Sequence, residues 1–163
     1  MLSTMSLPMP LVDSPAIDLD IEEWVLGPST NISNELGKPI LVKVFQVNCP
    51  GCFTHGIPEI LEIRNKFSDS PLLIWGLATA FEDFHLNNSE NLRRLVESGE
   101  VVGETLEVLG AKGFLNNNRL DYPISFPVAL DNVVPYQPSD YLLEAQKFIK
   151  RDFPQFDSFP VKN

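Results

Sequence analysis

Two stretches of the chain are almost continuously apolar: Ile40 to Val47 (ILVKVFQV) and Leu72 to Thr79 (LLIWGLAT). Runs of this length, bounded by Gly, Pro and Ser, read as strands buried on both faces, as in a parallel sheet. Lys43 and Gln46 are the polar interruptions of the first run. Between the two, Pro58 to Phe67 places apolar residues at 60, 63 and 67, with Leu61 beside them, which is helical spacing. Phe53 to Ile57 extends that helix toward its N-terminus, with Pro58 as a kink or a first-turn residue. Further on, Ser89 is the expected N-cap of a helix from Glu90 to Ser98. A second helical stretch covers Glu104 to Leu109 and ends at Gly110 and Gly113, and Asn116 to Asn118 reads as a loop.

Phe126 to Leu130 reads as another strand. Ser139 then caps a helix from Asp140 to about Asp152, with positions 142, 145, 148 and 149 on one face and Pro154 beyond its end. Upstream, Glu22 to Gly27 is a short strand or turn, and Asn31 to Leu36 a helical turn or loop. Alternating strands and helices predict an α/β sheet with right-handed crossovers. Residues 1–16, with prolines at 8, 10 and 15, read as a flexible arm, and 17–163 as the domain.

Composition narrows the function classes. The 163 residues, 44% hydrophobic and 21% charged, suit one globular domain. A net charge of −10 disfavours nucleic-acid and anionic-membrane partners, which would repel it. No apolar run approaches the ~18 residues of a membrane span. The first ten residues carry no Lys or Arg and lack the pattern of a signal peptide, so a cytoplasmic location is expected.

The chain has two cysteines, Cys49 and Cys52, around Pro50-Gly51. They fall between an apolar strand and a helix. Two intervening residues allow a small, closable disulfide ring at a helix N-terminus. Unpaired N–H groups and the positive dipole end there favour a thiolate on the first cysteine. That thiolate attacks a disulfide, and the second cysteine, one turn along, resolves the mixed disulfide. In a cytosolic chain, Cys-x-x-Cys beside a β-α-β pattern signals redox chemistry.

Gly37-Lys38-Pro39-Ile40-Leu41-Val42 through Cys49-Pro50-Gly51-Cys52 resembles a segment of thioredoxin-fold proteins, above all the TlpA-like and redoxin (peroxiredoxin-like) thiol–disulfide oxidoreductases. Phe126 to Asp131 (FPVALD) resembles the FPV-x-x-D segment of the same proteins. The resemblance implies a thioredoxin-like sandwich with a central sheet flanked by helices. It implies Cys49 as nucleophile and Cys52 as resolving cysteine, acting without a bound cofactor on protein or small-molecule disulfides. The chain departs from the family in three ways. Asn48 stands where the family usually has Trp. Five residues separate Cys52 from Pro58, where thioredoxins have four. No downstream proline is followed by Thr, as the family's cis-proline is. Two arrangements of the C-terminal part follow. In one, Pro127 is the cis-proline and Val128 to Tyr136 forms a hairpin around Asp131-Asn132. In the other, which we favour, FPVALD is an earlier strand and the helix from Asp140 is an insertion, with the cis-proline strands lacking.

The same residues admit alternative roles. Zinc would require Cys49, Cys52, His55 and His85 together, at a spacing that matches no zinc module. His55 is a candidate proton shuttle but reads better as a helix-surface residue. Gln46 occupies the position where peroxiredoxins keep Thr or Ser, so a thiol peroxidase is the weaker enzyme reading. A non-catalytic thioredoxin-like interaction module is the other alternative. Glu82 and Asp83 read as a solvated loop, and Trp24 and Trp75 as core aromatics.

Overall fold

The computed structural model describes residues 16–133. The helix expected from Asp140 and the arm up to residue 15 lie outside the described residues. Strands β1 (Ile21–Leu26), β2 (Ile40–Phe45), β3 (Leu73–Ala78), β4 (Leu115–Asn116), β5 (Arg119–Leu120) and β6 (Val128–Asp131) alternate with three helices. These are α1 (Ile57–Lys66), α2 (Ser89–Ser98) and α3 (Gly103–Ala111).

The main sheet has the order β1-β6-β3-β2. β2, β3 and β6 run parallel, and β1 closes one side antiparallel to β6. The two parallel pairings confirm the β-α-β alternation, with α1 in the first connection and α2 and α3 in the second. Among the described residues β2 is an outer strand, not the buried central one that its apolar run predicts. Its residues are mostly half-buried, and Val44 is 51% exposed. The run identifies a strand but carries no information on which neighbours flank it. β3, between β6 and β2, is buried from Ile74 to Ala78.

Alternation divides the sheet into two faces. Phe45, Gly76 and Val128 lie on one. A Cβ on Gly76 would come within 2.9 Å of the Phe126 ring and 3.1 Å of the Phe45 ring, so the missing side chain leaves room for both rings over β3. The core on this side joins them to Phe53, Ile57 and Ile60, to Leu92 and Leu95 of α2, and to Leu109 of α3. Fully burying each such side chain contributes about 1.5–3 kcal/mol. On the other face Trp24 and Trp75 stack edge-on, with ring centroids 5.5 Å apart. The indole N–H of Trp24 donates to the carbonyl of Thr30.

Three local details differ from expectation. The cap of α2 is Asn88, whose side chain accepts from the N–H of Asn91, so Ser89 is the first helical residue. Ser89 instead donates its hydroxyl to Glu23. Gly110 lies within α3, and Gly113, at φ +71°, follows it. Asn117 and Asn118 are both left-handed (φ 51° and 63°), which turns β4 into β5. Asparagine tolerates that conformation, so Leu115 to Leu120 forms a small hairpin where only a loop was expected.

FPVALD resolves the two C-terminal arrangements. β6 pairs with β3 on one side and with β1 on the other, so both of its edges are taken by strands that precede it in the chain. No cis peptide occurs among the described residues, and the Phe126–Pro127 bond is trans. FPVALD is the earlier strand, and Pro127 is not the cis-proline.

Candidate active site

β2 ends at Phe45, and the chain passes through Gln46, Val47 and Asn48 to Cys49. These three linking residues are buried. Helical backbone begins at Pro50, and the N–H of Cys52 donates to the carbonyl of Cys49 at 3.0 Å. Cys49 and Cys52 form a disulfide with their Cα atoms 5.4 Å apart. Both cysteines are half-buried, and Gly51 between them is exposed. Gly51 has an ordinary helical backbone (φ −62°), and a Cβ there would meet nothing within 4 Å. Its smallness is therefore not required for folding.

The extra residue between Cys52 and Pro58 has a structural counterpart. Cys52–Gly56 forms a π-helical turn, continued by α1. The N–H of Ile57 donates to the carbonyl of Cys52, five residues back. A single wider turn absorbs one additional residue while the helix on either side keeps its course, and such turns occur often at functional sites. Phe53 points from this turn into the core, edge-on to Phe45 at 6.1 Å. His55 is exposed, with Nδ1 2.7 Å from the hydroxyl of Thr54, as the helix-surface reading expects.

A buried polar network fixes the approach to Cys49, and the sequence did not reveal it. Asn48, 7% exposed, uses both its backbone and its side chain. Its N–H donates to Oδ1 of Asn87 at 2.7 Å. Its Nδ2 donates to Oδ2 of Asp83 at 2.9 Å, and its Oδ1 accepts from the N–H of Thr105 at 3.2 Å. The Thr105 hydroxyl donates to the carbonyl of Val47. Gln46 Oε1 accepts from the N–H of Phe81 and from Nδ2 of Asn87, and that same Nδ2 also donates to the carbonyl of Glu82. The residue before the dithiol is thus tied to the loop after β3 and to the first turn of α3. Gly103 permits the second tie: it is left-handed (φ +56°), and a Cβ there would lie 2.7 Å from Oδ1 of Asn48. Asp83 is exposed, as the solvated-loop reading expects, and its carboxylate accepts from Asn48 at the edge of this network. The readable signal was two amides bracketing Val47 at the end of an apolar strand, where buried polar groups demand partners.

Among the described residues no group of three or more His, Cys, Asp or Glu side chains gathers as a metal site would require. His85 is exposed on the loop before α2 and apart from the pair. No helix among the described residues is long and apolar enough to cross a membrane.

The mixed sheet of the described residues, with a Cys-x-x-Cys disulfide between β2 and a helix start, is a thioredoxin-like fold, as the resemblance implied. Solved structures agree. A thiol-disulfide isomerase from Corynebacterium glutamicum is 28% identical, with a TM-score of 0.51, over 77% of this chain and 66% of that one. A thioredoxin-like superfamily protein is 26% identical, with a TM-score of 0.50, over 72% of this chain and 62% of that one. The chain thus spans slightly under two thirds of each of these relatives. No protein-family model matches it, and neither does any curated protein.

Proposed function

We propose that the protein is a thiol–disulfide oxidoreductase acting through Cys49 and Cys52 on protein disulfides and smaller disulfides. The observation that carries this reading is the Cys49–Cys52 disulfide at the start of a helix, half-buried beside an exposed Gly51. The C. glutamicum thiol-disulfide isomerase supports it by likeness.

In the reduced protein, the helix N-terminus favours the Cys49 thiolate. Its sulfur attacks a substrate disulfide, one substrate sulfur leaves as thiolate, and a mixed disulfide forms. Cys52, deprotonated to solvent, attacks the Cys49 sulfur. The second substrate sulfur leaves, and the protein disulfide closes. Two electrons pass from the protein dithiol to the substrate disulfide, and no cofactor takes part. The reverse sequence oxidises a substrate dithiol.

The test is reduction of insulin disulfides by dithiothreitol, followed as turbidity. The wild type should accelerate it, and Cys49→Ser and Cys52→Ser should each lower the rate to the uncatalysed level. Equal inactivity of all three proteins would assign the chain instead to non-catalytic interaction modules.

A further inference from the structure

The turn that carries Cys52 is held from a distant part of the chain. Its five-residue register runs from the N–H of Ile57 to the carbonyl of Cys52. The next bond of that register would run from residue 58 to the carbonyl of Phe53. Residue 58 is proline and has no N–H to give. The Phe53 carbonyl would be orphaned on a buried residue, a position that proteins satisfy from elsewhere. Tyr122, beyond the β4–β5 hairpin, does so: its hydroxyl donates to the Phe53 carbonyl at 2.6 Å. Burial, and then the neighbouring Asp121 carboxylate, hold the phenol pKa well above its usual value, so Tyr122 remains a donor.

We propose that Tyr122 is a positioning residue for thiol–disulfide exchange, its hydroxyl fixing the π-helical turn from which Cys52 reaches the sulfur of Cys49. The proposal rests on the reading of Cys49 and Cys52 as the reacting pair. It separates the two chemical steps. Cys49 precedes the turn and is held through Asn48 by the loop after β3 and by α3. Cys52 is the first residue of the turn, and its own carbonyl closes the wide register. Without the Tyr122 hydroxyl, the turn loses the partner that holds it beside Pro58. Resolution by Cys52 then suffers while attack by Cys49 does not.

The test mixes reduced protein with an aromatic disulfide that releases a coloured arylthiolate. Cys49 attacks first, forming a Cys49–aryl disulfide and releasing one arylthiolate. Cys52 then attacks the Cys49 sulfur, releasing the second arylthiolate and closing the protein disulfide. Wild type should show two phases. Tyr122→Phe should leave the first phase unchanged and slow the second about tenfold, as expected for loss of one hydrogen bond. Pro58→Ala, which returns a backbone N–H beside the orphaned carbonyl, should restore the second phase in the Tyr122→Phe background. A second phase unaltered by Tyr122→Phe, equal slowing of both phases, or no rescue by Pro58→Ala each overturns the positioning role. A wild type that releases a single arylthiolate overturns the reacting-pair reading itself, and the Tyr122 proposal with it.

Discussion

Asn87 accepts the backbone N–H of Asn48 on its Oδ1 at 2.7 Å, across 39 residues of sequence. Through this bond the loop after β3 grips the residue that delivers Cys49. Asn87 is buried, and its Nδ2 also serves Gln46 and the carbonyl of Glu82. Removing the side chain leaves the buried N–H of Asn48 without its partner and takes one of two donors from Gln46.

Asn87→Ala should therefore destabilise the protein by about 1–3 kcal/mol, the cost of orphaned buried polar groups. Urea unfolding should show a lower midpoint with an unchanged slope. A midpoint equal to that of wild type would show that the loop is not held in this way.

Gly103→Ala should be costly for two reasons at one position. The backbone is left-handed there, and the new Cβ would come within 2.6 Å of Leu86 and 2.7 Å of Asn48. A destabilisation of about 1–3 kcal/mol is expected from the strained backbone alone. The same denaturant titration reads it. A neutral effect would contradict the close approach of α3 to Asn48.

Gly51→Ala should behave in the opposite way, although it alters the Cys-Pro-Gly-Cys turn. Residue 51 has helical backbone angles and open space beside it. Alanine there restricts the unfolded chain and should raise stability by about 0.4–1 kcal/mol. A lower thermal midpoint for the oxidised variant would contradict this geometry.

Tyr122 makes stability sensitive to alkali. Its pKa is raised in the folded protein above the ordinary value of 10.0, chiefly by burial. Below that value the phenol is protonated in both folded and unfolded states, and its contribution is complete. As pH climbs above about 10, the unfolded chain ionises first, so the folded state loses stability progressively toward the folded-state pKa. Tyr122→Phe should flatten the loss of stability over that alkaline range. Parallel wild-type and variant curves would contradict the assignment.

Much of this architecture is legible in the pattern of residues. Ile40 to Val47 and Leu72 to Thr79 mark β2 and β3, because apolar runs between breakers have few other uses. Cys49 and Cys52 stand out by spacing and by the strand and helix around them. The rest depends on long-range partners. Nothing near Asn48 in sequence announces Asp83, Asn87 or Thr105, and nothing near Phe53 announces Tyr122. The extra residue before Pro58 was visible as a departure, but its expression as a π-helical turn depends on packing of Phe53 into the core. The place of β2 at the outside of the described sheet also lies beyond its own residues, since pairing order is set by all strands together. Asn117-Asn118 was readable in principle, since two adjacent left-handed asparagines make a tight hairpin turn, yet the flanking strands are too short to show a period.

The central claim is that Cys49 attacks and Cys52 resolves. The most direct measurement mixes each reduced single-cysteine variant with a protein disulfide, quenches with acid, and resolves the products by non-reducing electrophoresis and peptide mass. Cys52→Ser should accumulate a mixed disulfide through Cys49 that dithiothreitol releases, while Cys49→Ser should accumulate far less. Trapping through Cys52 in preference to Cys49 would reverse the assigned order, and the absence of any trapped species in both variants would contradict the account.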